Sequence, residues 1–184
     1  MMTAAQPESP ANEIEFLVNC LEASRERFLR TVEGVSESAA RVTIGENSWS
    51  ILHCAEHVAT AERQMMAMWN KLAAAGKGDP AKDAGVPANA LNREKKNMSP
   101  ERSRPNGRYT ELSAAIADFR TNRATSIAAL QGSTLEDLRG KVVQHPLAGE
   151  IDGYQLFRLM AAHAERHAAQ IEDIKNHPAY KQAG

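Results

Sequence analysis

Apolar residues recur along the chain at steps of three and four in four long stretches, the period of a helix with one buried face. The first stretch, from residue 12 to about 33, carries Ile14, Leu17, Val18, Leu21, Phe28 and Val32. Asn12, just past Pro10, stands where a cap belongs, and Gly34 is a natural stop. Ser48-Trp49-Ser50 opens a second helix running to about Ala75, with Ile51, Ala55, Val58, Met65, Trp69 and Leu72 on its apolar side. Trp49 reads as a packing residue at its start, not a substrate contact. A third helix runs from about Thr110 to Leu130 on Leu112, Ile116, Phe119, Ala124, Ile127 and Leu130, and Gly132 ends it. The fourth begins near Asp152, where Gln155 three residues on completes a capping-box pattern, and ends near Asn176-His177-Pro178.

Between the second and third helices the pattern breaks. Residues 76–108 hold Pro80, Pro87, Pro100 and Pro105, several glycines and the basic cluster Arg93, Lys95, Lys96. A connection this long reads as a lid or a mobile link, and its charges as a solvated face. Val142 to Gly149 reads as irregular, and no run alternates convincingly with a period of two. The expected fold is therefore all-α, a four-helix bundle. One domain spans residues 12–177, with a disordered segment at 1–11 and a tail at 178–184.

Composition narrows the class. The chain has 184 residues, enough for one domain with a core. It is 42% hydrophobic and 24% charged, ordinary for a soluble protein. A formal net charge of −1 gives nucleic acid or an acidic membrane no electrostatic claim on it. Cys20 and Cys54 are too few for a disulfide framework and read as small core residues in a reducing compartment. No signal peptide or long apolar run is present, so the expected location is the cytoplasm.

The chemistry lies in the histidines. His163 and His167 are one helical turn apart, on the stripe that also holds Leu156, Met160, Gln170, Ile171 and Ile174. A buried imidazole without a partner costs about 1–3 kcal/mol, and a divalent metal ion would satisfy both rings. Catalytic sites of this kind usually take three protein ligands. His57 shares an inward stripe with Cys54, Ala61, Met65 and Met68, whereas His53 shares a polar edge with Thr60 and Gln64. His57 is thus the better third ligand. The plainer reading is a histidine pair hydrogen-bonded in the core, bridged by water or a carboxylate. A rival reading is His53-Cys-Ala-Glu56-His57, the H-x-x-E-H pattern of inverted zincins, with Glu56 as general base. It leaves His163 and His167 unexplained, and Glu165 projects about 200° from His163 around the helix. His145 in a loop and His177 at a helix end are expected to be exposed.

Trp49-Ser50-Ile51-Leu52 with His57 eight residues after the Trp, followed by His163-x-x-x-His167-x-x-Gln170-Ile171, resembles the DinB superfamily. His145-Pro146-Leu147-x-Gly149 before the last helix strengthens the likeness, which runs from the first helix to about Ile174. The resemblance implies an up-down-down-up threading and a divalent metal held by His57, His163 and His167. It assigns no role to His53 or Glu56. Members of the superfamily include bacillithiol transferases and a mycothiol-dependent maleylpyruvate isomerase, and others have been described as metal-dependent hydrolases. The expected function is a metal-dependent enzyme acting on a small molecule, with transfer of a low-molecular-weight thiol through a metal-activated thiolate ahead of hydrolysis by metal-activated water. A non-catalytic metal-binding bundle is the alternative from another class. An open fourth position favours an enzyme, and a fourth protein ligand a structural site. Three imidazoles suit zinc or nickel first, then iron or copper. The expected partners are a small-molecule substrate and a second copy in a homodimer, with no nucleic acid and no membrane. No catalytic residue is assigned.

Overall fold

In the computed structural model, which describes residues 10–94 and 98–183, four long helices form where the periodicity places them. They are α1 (Pro10–Val32), α2 (Ile51–Leu72), α4 (Leu112–Gln131) and α6 (Gly153–Asn176). Three short helices join them: α3 (Gly85–Leu91), α5 (Leu135–Arg139) and α7 (Pro178–Ala183). Residues 1–9 of the expected disordered segment, and Lys95 and Lys96 of the basic cluster, lie outside the described residues.

Contacts between the long helices give the threading. Arg27 reaches Glu165 and Glu172, and Lys175 donates to the Thr31 carbonyl, so α1 and α6 run parallel. Asn122 donates to the Ala59 carbonyl and Ser126 to Glu62, so α2 and α4 also run parallel. Phe28 meets Phe119 while Glu37, past the end of α1, accepts from the Leu112 and Ser113 amides at the start of α4. Trp69 near the end of α2 lies against Gly153 at the start of α6. The bundle is therefore up-down-down-up. Its core has two halves, one around Leu17, Leu21, Met65, Leu130 and Phe157, the other around Phe28, Ile51, Phe119, Ala164 and Ile171. Among the described residues no helix is long and apolar enough to cross a membrane.

Several boundaries differ from the sequence reading. Helix α1 begins at Pro10, so Asn12 lies inside it. Proline is well placed in a first turn, where its missing N–H is not needed. Leu72 closes α2 and is 67% exposed, because the apolar stripe stops one turn earlier. Residues 178–183, expected as tail, form α7, whose Tyr180 packs on the core.

The segment expected to be irregular before the last helix is instead a small antiparallel sheet. Its strands are β1 (Ala74–Ala75), β2 (Lys141–His145) and β3 (Gly149–Asp152), in the order β1-β2-β3. Val143 pairs with Ile151, and both are buried. Strands this short turn too few apolar positions inward to register as alternation. Gly149, at φ +69°, closes the three-residue loop from His145, the left-handed position such a hairpin requires. Asp152 then caps α6, its carboxylate accepting from the Gln155 amide at 2.8 Å while Gln155 accepts from the Asp152 amide at 3.2 Å.

The long connection at 76–108 is not structureless. Helix α3 buries Val86 and Pro87, and the carbonyls of Ala90 and Asn92 accept from Arg166 of α6. Arg93 pairs with Asp173, so this member of the basic cluster is tied to the same helix.

Candidate metal centre

Two helices meeting at mid-height build the centre. On α2 the first turn is fixed by Ser50, whose hydroxyl accepts from the His53 amide while His53 Nδ1 accepts from the Ser50 amide, both at 3.2 Å. That capping box turns His53 back toward the helix start. One turn on, His57 faces the interior and is buried. On α6 the stripe begun at Leu156 and Met160 carries His163 and His167 to the same place. One ligand atom from each of His57, His163 and His167 lies within 4.8 Å of the others. His57 Nε2 and His163 Nε2 are 2.9 Å apart. No other His, Cys, Asp or Glu joins this group among the described residues.

Their outer hydrogen bonds settle which nitrogens face inward. His57 Nδ1 lies 2.7 Å from the Ser103 carbonyl, which only accepts, so Nδ1 carries the proton and Nε2 presents a lone pair. His167 Nδ1 is 2.9 Å from Gln170 Oε1, which fixes the same tautomer when the oxygen accepts. The Nε2 lone pairs of His57 and His167 are thus available at the group that His163 completes, its own Nε2 within hydrogen-bond distance of His57 Nε2. A divalent cation fits this donor set.

Electrostatics keep the rings in the ligating form. Burial holds the pKa of His163 well below 6.5, and neighbouring His167 and His57 push it further down. Burial and His57 do the same to His167, against an opposing hydrogen bond from Gln170. His57 is lowered by burial, opposed by its bond to Ser103. Unfolded chains take up these protons below about pH 6.5 while the native state refuses them. Stability from these groups is therefore complete above that pH and falls as acid is added. The melting temperature of metal-free protein is expected to drop between pH 7.5 and 5.5, with a shallower drop in His163→Gln. A flat profile in the wild type would contradict it.

A pocket opens on this centre, about 450 Å³ counting space continuous with solvent, with His57 and His163 in its wall. Two neighbours of the centre stand where the sequence reading did not place them. Trp49, expected only as packing, stacks on His167 at 5.9 Å between ring centroids and tilts against His57 at 4.9 Å. His145, expected to be exposed, is half-buried in the pocket wall, and burial lowers its pKa to about 4. Both come from outside the bundle helices, where periodicity gives no direction. Glu56 is buried, and its Oε1 accepts from the Asn106 and Arg108 amides at 2.8 and 3.2 Å. Its Oε2 has no hydrogen-bond partner among the described residues. Glu56 thus anchors the end of the long connection, and His53 caps a helix, so the H-x-x-E-H pattern assembles no site.

That connection forms one wall. Ser103 accepts from His57, Gln64 donates to the Arg102 carbonyl at 2.7 Å, and Arg108 donates to Thr60 at 2.7 Å. Glu165 points away to Arg27, as its helix position requires.

Residues 21–171 match the family model of the DinB superfamily, and the chain belongs to that superfamily. Among solved structures it is similar to YfiT from Bacillus subtilis, described as a probable metal-dependent hydrolase with an unusual four-helix bundle topology. The two are 15% identical, the match covers 95% of this chain and 92% of that one, and the TM-score is 0.58. At that identity the likeness is one of fold. No curated protein matches the chain.

Proposed function

We propose that this member of the DinB superfamily is a metal-dependent enzyme that transfers a low-molecular-weight thiol to a small electrophilic substrate. The observation that carries the reading is the convergence of three imidazoles, two buried and that of His163 half-buried, without a fourth ligand among the described residues, on a pocket open to solvent. A divalent ion, zinc or nickel by donor type, would supply a lowered pKa to the thiol or water that reaches it. Ser103 and Gln170 keep Nε2 of His57 and His167 unprotonated, and Trp49 shields the two rings.

Two features favour thiol over water. No carboxylate lines the pocket among the described residues, so hydrolysis would lack a carboxylate base, whereas a thiol needs none once its pKa falls. The chain's own thiols are also unsuited to attack: Cys54 is buried with its pKa pushed up to about 12, and burial raises Cys20 as well. The nucleophile must come from outside. Hydrolysis is the second reading, favoured by the description of YfiT.

Elemental analysis of the purified protein should find about one divalent ion per chain. Thiols screened against a chloronitroaromatic should then be consumed in a reaction that chelator abolishes and zinc or nickel restores. Ester cleavage without thiol would replace the first reading with the second. Absence of both reactions in metal-loaded protein would overturn catalysis.

A further inference from the structure

We propose that Arg102 makes this pocket selective for anionic substrates, small and mostly apolar molecules whose carboxylate is received at the mouth while the rest lies toward the histidines. The assignment rests on the reading of the pocket as a substrate site.

The wall is largely apolar, with Met65, Met68, Leu159, Pro100 and Pro146 contributing side chains without charge. Its ionisable members are His57, His163, His145 and Arg102. No Asp, Glu or Lys stands among the described lining residues, so Arg102 supplies the permanent charge of the wall.

Its guanidinium is placed and unspent. Nη2 lies 3.7 Å from Met68 Sδ, and His145 lines the same pocket. The backbone beneath it is held on both sides of the peptide unit, by Gln64 at the Arg102 carbonyl and His57 at the Ser103 carbonyl. Arg27, Arg123 and Arg139 each hold an acid, but no carboxylate pairs with Arg102 among the described residues. An exposed, unpaired arginine is unremarkable on an open surface. Here it stands on the rim of a largely apolar pocket, and its planar fork matches a carboxylate. With no acid among the described residues of the wall, none of them competes with an incoming anion.

The test compares 3-phenylpropionate with 3-phenylpropanamide, probes of one skeleton that differ in charge. Affinities are measured by chemical-shift titration on the full-length chain, zinc-loaded and zinc-free. Wild type should prefer the carboxylate about tenfold in both forms. Arg102→Gln should bind both probes equally, Arg102→Lys should keep part of the preference, and neither variant should alter zinc stoichiometry. Equal affinities in wild type would overturn the proposal. So would a preference that survives in Arg102→Gln, with zinc as the anion's receptor if it survives only in the loaded form and another group if it survives in both. A wild type that takes no zinc refutes the metal reading, while its zinc-free titration still decides for or against Arg102.

Discussion

Arg123→Ala is expected to destabilise the protein by about 3–5 kcal/mol, the cost of stranding a buried charge. The guanidinium is wholly inaccessible to solvent. Its Nε and Nη2 donate to the two oxygens of Glu62 at 2.5 and 2.8 Å, and Nη1 donates to the Leu21 carbonyl and Ser24 hydroxyl at 2.5 and 2.6 Å. A longer bond runs to the Met160 carbonyl at 3.4 Å, so this one side chain touches all four long helices. Alanine would leave the Glu62 carboxylate buried with only Ser126 donating to it at 3.1 Å. Urea unfolding of wild type and variant measures the difference, and a loss below about 1 kcal/mol would contradict the assignment. The double variant Glu62→Leu/Arg123→Met should recover most of the loss, because a buried ion pair replaced by apolar side chains of similar size is often neutral or better. Failure of that rescue would mean that shape, and not charge, dominates the site.

That ion pair was legible and went unread. On α4 Arg123 stands on the stripe of Ile116, Phe119, Ile127 and Leu130, and on α2 Glu62 falls within the inward run between Val58 and Met65. Opposite charges on two apolar stripes are the signature of an internal pair. A helix-by-helix reading treats each as a solvated exception. The bundle itself was clear because a 3.6-residue period repeated over five or six turns accumulates signal. The sheet was not, since β1 has two residues and β2 only Val143 fully buried. The same logic divides the metal centre. His163 and His167 declare themselves by spacing and stripe, and His57 by stripe alone. Trp49 precedes its helix and His145 sits at the end of a hairpin, so their approach to the imidazoles depends on tertiary geometry that no local period encodes. Arg102 lies in a turn (Glu101–Ser103) whose placement is set by hydrogen bonds from Gln64 and His57, nearly forty residues or more away in sequence.

Removing one imidazole from the centre should produce the largest change in ligand binding. His167→Ala is expected to weaken zinc binding at least 100-fold, a loss of about 2.7 kcal/mol or more in binding free energy. His53→Ala should leave zinc affinity within about twofold, a difference below 0.5 kcal/mol. His167 is buried, with its Nδ1 held by Gln170 and its ring covered by Trp49, and no other His, Cys, Asp or Glu among the described residues joins the group to replace it. Two imidazoles then remain, too few to hold the ion firmly against water. His53 completes a capping box with Ser50, so its loss should appear in the stability of α2, at about 0.5–2 kcal/mol, and not at the centre. The pair of variants separates metal affinity from fold: one should lose zinc without losing the α2 cap, the other the reverse. Titration against a chelator of known affinity, with thermal unfolding of each metal-free variant, gives both numbers. A large loss of zinc affinity in His53→Ala with His167→Ala near wild type would transfer the site to the H-x-x-E-H pattern of α2. Because Glu56 there is already committed to the Asn106 and Arg108 amides, that outcome would also require the long connection to release it.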